Sequence, residues 1–354
     1  MYNLCIWYSN KEEYDRALGY CNRAIELDPG DADTFDSRGN VYSKMHNYDR
    51  ATQDYDEAIR LKPNYSSALF YRAESFRHRG DYTRALSDYD QAIGLDQSRG
   101  ELFDGRGLAF FFLHQYDRAI QDFDAELRLN PNDWIPWNNR ATAFESSGDH
   151  DRALRDYKEA IRLDPQDANK FSCRARVYYS KGQYELAIQD LDESIRLRSD
   201  VQFVWKQRGA VFEKLGNYSR ATEDFGRAIL LKPNDSLAWN SRCWVRAISG
   251  DVPAALEDCN QSLRLKDDDP EALDSRGFVY LKMHRLDPAI ADYSAALKIN
   301  PKAAPSLYGR GLAELMRHDL FAGWKDIGTA KQIDPNVAAD FVKWGISPPK
   351  PRAK

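Results

Sequence analysis

The stretch DSRGNVY at residues 36–42 returns almost unchanged as DSRGFVY at residues 274–280. In the first copy Arg38 stands between Phe35 and Tyr42, where helical spacing asks for an apolar side chain. Counting outward from Arg38 gives Arg72, Arg106, Arg140, Arg174, Arg208, Arg242, Arg276 and Arg310, every step being 34 residues. The residue after each is small: Gly39, Ala73, Gly107, Ala141, Ala175, Gly209, Cys243, Gly277 and Gly311. Further along each period comes Ala51, Ala85, Ala119, Ala153, Ala187, Ala221, Ala255, Ala289 or Gly323. Four places later stands a larger residue, most often Tyr or Phe, as at Tyr55 and Phe123.

Each period reads as a pair of helices. Phe35, Gly39 and Tyr42 share one face of a first helix, and Ala51, Tyr55, Ala58 and Ile59 share one face of a second. Short breaks such as RGDY, KGQY and LGNY stop one helix and start the next. Pro63 and its equivalents close the second helix by withholding an amide hydrogen. The whole pattern resembles the tetratricopeptide repeat family, over residues 1 to about 345. The resemblance implies an all-α, right-handed superhelical solenoid of antiparallel helix pairs. It divides the chain into an incomplete first repeat at 1–31, nine full repeats over 32–337, a capping helix at 338–345 and a flexible tail at 346–354. Met1 falls inside a first helix, so either the beginning is frayed or residues upstream are missing.

The arginine series departs from the family, which usually has an apolar residue there. A second series answers it, 16 residues on: Asp54, Asp88, Asp122, Asp156, Asp190, Asp224, Asp258, Asp292 and Asp326. Across two antiparallel helices such residues can face each other, and a guanidinium fork fits a carboxylate with parallel hydrogen bonds. The first repeat has Leu4 and Tyr20 at these places, so it lacks both partners together, and pairing inside each repeat leaves no charge stranded. The ladder is therefore expected to be structural. The D-x-D stretches of the second helices are expected on solvated faces.

Nothing points to chemistry. His46, His114, His284 and His318 stand in breaks where other repeats have Gly, and no histidine pair has metal-site spacing. No phosphate loop or nucleophile motif occurs, so no enzyme, cofactor or metal is expected. Cys5 and Cys21, like Cys243 and Cys259, are 16 apart at the same two inward positions. Small apolar packing of free thiols is the reading for an intracellular chain, with a disulfide as the alternative. Glu126 stands where other full repeats have Ala or Ser, and must find a partner or rise in pKa.

In the family the first helices line a concave groove that holds an extended or helical peptide. The resemblance places Phe70, Tyr71, Leu108, Phe111 and Phe112 at one end of it, and Asn138, Asn139, Arg176, Tyr179 and Lys206 in a polar middle. Trp244, Phe278, Leu312, Leu315 and Tyr308 fall at the other end, where the capping helix or self-association competes for them. Asp36, Ser37 and Asn40 also face the groove. Net charge is −5 with both signs mixed, and no basic stripe for nucleic acid is visible. The apolar runs are too short to span a bilayer, and the N-terminus lacks a signal-peptide pattern, which makes the cytoplasm the default compartment. The function expected is a scaffold that binds a peptide or protein partner. The alternatives are a regulatory or targeting arm of a larger enzyme and an RNA-binding helical repeat.

Overall fold

The structure, a computed structural model, describes residues 1–347, and every regular element in them is an α-helix. The chain forms two compact units, Met1–Val177 and Tyr178–Lys354. The first begins with α1 (Tyr2–Asn10), α2 (Tyr14–Leu27), α3 (Ala32–Lys44), α4 (Tyr48–Leu61) and α5 (Ser66–His78). It continues with α6 (Tyr82–Leu95), α7 (Gly100–Phe112), α8 (Tyr116–Leu129), α9 (Trp134–Ser146), α10 (His150–Leu163) and most of α11 (Ala168–Ser180). The second holds α12 (Tyr184–Leu197), α13 (Gln202–Lys214), α14 (Tyr218–Leu231), α15 (Ser236–Ser249) and α16 (Val252–Leu265). After these come α17 (Pro270–Lys282), α18 (Leu286–Ile299), α19 (Ala304–Met316), α20 (Leu320–Ile333) and α21 (Val337–Lys343). Within each unit, successive helices pack as antiparallel hairpins, and each hairpin packs on the next.

Local chemistry sets the helix ends. Asn47 opens α4 by accepting a hydrogen bond from the Arg50 amide at 3.3 Å, and Asp149 does the same for Arg152 at 3.0 Å. The first helix of a hairpin ends on a residue with positive φ, such as Gly80 (78°), Gly148 (87°) or Gly216 (73°). The four turn histidines occupy the same left-handed conformation, with φ from 54° at His284 to 71° at His318. An L side chain there costs roughly 1–2 kcal/mol. His284→Gly is therefore expected to raise stability by about 1 kcal/mol, as read by denaturant unfolding.

The two hairpin helices close on a small-over-large contact. A Cβ at Gly39 would come within 2.6 Å of the Tyr55 ring, so the aromatic residue lies flat against bare backbone. Where the ring is replaced by cysteine, the small residue opposite is cysteine too. The structure joins Cys5 to Cys21 and Cys243 to Cys259 as disulfides, against the expectation of free thiols. The reason is geometric: the hairpin holds the paired Cα atoms 5.1 and 5.3 Å apart, inside the span of a disulfide, and the bridge fills the space of the missing ring.

The C-terminus also differs from expectation. α21 spans Val337–Lys343, where the capping helix was expected over 338–345, and Ile346, assigned to the tail, is buried in the cluster beneath it. Residues 348–354, the remainder of the expected tail, lie outside the described residues. No described helix is long and apolar enough to cross a membrane.

Candidate functional site

The arginine ladder is the most regular feature of both units. In α9, Arg140 donates from Nε and Nη2 to the two carboxylate oxygens of Asp156 at 2.7 and 2.9 Å. The same fork joins Arg38 to Asp54, Arg72 to Asp88, Arg106 to Asp122, Arg208 to Asp224, Arg242 to Asp258 and Arg276 to Asp292. Arg310 reaches Asp326 through Nε at 2.6 Å. Arg174 and Asp190 hold the equivalent positions on α11 and α12, with Asp190 buried. Aromatic rings back several of the guanidinium groups, Trp137 under Arg140 at 4.8 Å and Trp205 under Arg208 at 5.0 Å.

The ladder has a second rung that reading within one repeat does not reveal. Nη1 of Arg72, Arg106, Arg140 and Arg208 reaches back to Asp56, Asp90, Asp124 and Asp192 of the preceding hairpin, at 2.5–2.6 Å. Arg38 and Arg276 bond Asn22 and Asn260 in the same way. These acids are the second members of the DYD, DFD and DLD stretches, so that motif was the available signal. They are not merely solvated. The two rungs differ in energy: the Asp156 side chain is 7% exposed, the Asp124 side chain 40%, and an exposed pair contributes little. Burial raises the pKa of Asp54, Asp122, Asp156 and Asp224, and the arginine offsets only part of that. The inner pairs thus sit near the break-even typical of buried ion pairs, where losing one partner hurts far more than losing both.

On the first-helix face of the first unit, Tyr71 and Phe112 are exposed and Phe70, Leu108 and Phe111 are half-buried. Phe112 stacks on Tyr82 of the preceding hairpin at 5.2 Å, and Phe111 leans on Tyr116 at 5.6 Å. Beside Tyr71 lies a hollow of about 330 Å³, lined also by Ser9, Ser37, Asn40 and Lys44. Most polar residues singled out from the sequence are engaged within the protein. Asn139 donates to Asp104 at 2.7 Å, and Arg176 forks onto Glu145 at 2.5 and 2.8 Å. In the second unit Lys206 donates to Asp235 at 2.8 Å, and Tyr179 packs against Tyr184. Asn138 is half-buried on α9.

Three carboxyls stand out. Burial, with Asp33 nearby, pushes Asp36 up to about 7, and burial takes Asp274 to about 6. Glu126 is 5% exposed, and its Oε2 has no hydrogen-bond partner in the structure. Burial and the neighbouring Asp104 and Asp133 push its pKa up to about 9. Asp104, itself raised by burial, shares a hydrogen bond with it, so this pair holds a proton at neutral pH. No group of three or more His, Cys, Asp or Glu among the described residues is placed to hold a metal.

The second unit corrects the sequence reading most. Phe278 and Tyr308 are each 1% exposed, not open to a partner, because α21 lies over them. Phe341 meets Tyr308 at 4.9 Å and Phe278 at 5.7 Å, and Trp344 meets Trp244 at 4.8 Å. Leu312 and Leu315 are buried in the same cluster, while Trp244 stays half-buried.

A series of similar hairpins with small residues at two fixed positions defines a helical-repeat protein. Tetratricopeptide repeat models match residues 37–99, 105–168 and 207–270, and further models of that repeat match 20–53, 174–201 and 270–302. The chain belongs to the tetratricopeptide repeat family. Curated proteins give no sequence match. Among solved structures, a tetratricopeptide repeat protein from Parabacteroides merdae is 18% identical with a TM-score of 0.54, covering 73% of this chain and 98% of that one. Pseudomonas aeruginosa pilF is 17% identical with a TM-score of 0.52, covering 58% and 94%. At such identity the likeness is one of fold.

Proposed function

We propose that the protein is a non-catalytic scaffold that takes a polypeptide segment of a partner on the first-helix face of its first unit. The observation that carries this reading is the set of apolar side chains on that face, exposed Tyr71 and Phe112 with half-buried Leu108 and Phe111, together with the hollow that Tyr71 shares with Asn40 and Lys44. Contiguous exposed apolar side chains mark contact sites, and aromatic residues supply most binding anchors. The arginine ladder serves the stack: Arg38, Arg72, Arg106, Arg140, Arg208, Arg242, Arg276 and Arg310 are each already bonded to the aspartate 16 residues on. Compartment and redox state go together here: the two disulfides persist in an oxidising environment, whereas a reducing cytoplasm would keep four thiols.

The test is affinity capture from the native source with the parent chain and with Tyr71→Asp/Phe111→Asp. The variant is expected to lose its specific partners while keeping parental helix content and melting. Retention of the same partners by the folded variant rejects this surface.

A further inference from the structure

In the second unit, the face equivalent to the proposed binding surface is already filled. Trp244, Phe278 and Leu312 occupy one register position in three consecutive hairpins, 34 residues apart, and so form an apolar line across α15, α17 and α19. α21 does not simply continue the stack beyond α20. It turns back over this line, so that Trp344 touches Trp244 from 100 positions earlier in the chain. Phe341 and Trp344, three residues apart, point down into it, and Val337 and Ile346 are buried at either end. Val342 and Lys343 remain exposed on the outer side.

Seven residues are too few to hold a helix alone in water, so α21 is helical because the groove makes it so. It therefore shows what this face accepts. The Lys282 amine donates to the Ala247 carbonyl at 2.8 Å and lies 3.8 Å from where a side chain at Gly345 would start. That places a cation at the C-terminal end of the seated helix, the end whose carbonyls carry partial negative charge. Composition and direction are both specified.

We infer that this groove is a receptor for a short amphipathic helix of a partner protein, carrying Phe and Trp three residues apart and entering with its C-terminal end at Lys282. α21 is the built-in occupant that an incoming helix must displace. The inference rests on the reading that these repeat faces bind polypeptide. Only Asp334, Pro335 and Asn336 separate α20 from α21, and so short a tether gives α21 an effective concentration in the millimolar range. A free helix of equal intrinsic affinity therefore loses to it. Half-buried Trp244 and Ile248 at the far end offer a longer helix its foothold.

The test uses the full chain and, as probe, a fluorescent, end-capped peptide of residues 336–347. Phe341→Ala/Trp344→Ala should empty the groove and bind the peptide about 100-fold more tightly than the parent does. Adding Trp244→Ala should remove at least about 10-fold of that affinity. A folded double variant that binds no better than the parent overturns the inference, as does binding indifferent to Trp244→Ala. If the double variant loses cooperative melting, Trp344→Ala alone is compared. Collapse there too would make α21 an inseparable part of the core and equally overturn the inference. Sedimentation showing a parental dimer that the α21 substitutions abolish would identify a second copy as the occupant instead. Failure here leaves the capture experiment on Tyr71 and Phe111 untouched, because those residues belong to the first unit.

Discussion

Arg140→Ala should destabilise the first unit by about 3–5 kcal/mol. The truncation strands the buried Asp156 carboxylate without its two guanidinium bonds, and also releases Asp124 and the Trp137 ring. Substituting both partners, Arg140→Leu with Asp156→Leu, should recover much of the loss, since no buried charge is then unpaired. Urea unfolding of the singles and the double forms a cycle, and additive effects would remove the pair from the account. An internal control comes from Arg242→Ala. Its partner Asp258 also receives a bond from Arg246 at 2.8 Å, so this loss should be visibly smaller than that of Arg140→Ala.

Glu126→Gln should stabilise the protein at pH 8 by about 1–3 kcal/mol, with the gain shrinking toward pH 5. The folded pKa of Glu126 lies near 9 and its ordinary value is 4.5, so between them the folded state binds the extra proton. Parental stability therefore falls as pH rises through that window. Glutamine does not titrate, and its amide can donate to Asp104 where the carboxyl O–H does now. Asp36 and Asp274, raised to about 7 and 6, tilt the parental profile in the same sense. The difference between variant and parent isolates Glu126. Parallel pH profiles of the melting temperature would show that Glu126 is ionised throughout and reject the assignment.

The fold was legible because each repeat restates it. A small residue over an aromatic ring, a helix-stopping turn and a closing proline recur in register, and each is a local constraint with few solutions. The Arg–Asp spacing was legible for the same reason, since 16 residues bring two side chains face to face across one hairpin. Its outward rung was not, because the distance from Arg140 to Asp124 depends on how one hairpin is set against the one before it. Glu126 announced itself by breaking the small-residue pattern. Its protonated state needed the position of Asp104, which lies on the partner helix α7.

The groove residues divide in the same way. The family resemblance assigns Tyr71, Phe111, Trp244, Phe278 and Tyr308 to one face of the first helices. Which of them a partner could touch is another matter. Tyr71 stays exposed, whereas Phe278 and Tyr308 vanish under Phe341 and Trp344. DSRGNVY and its period thus determined the helices, their pairing and the inner rung of the ladder, all fixed by contacts within a hairpin. The tertiary structure alone decided which faces stay open, because burial is a property of what arrives from elsewhere in the chain.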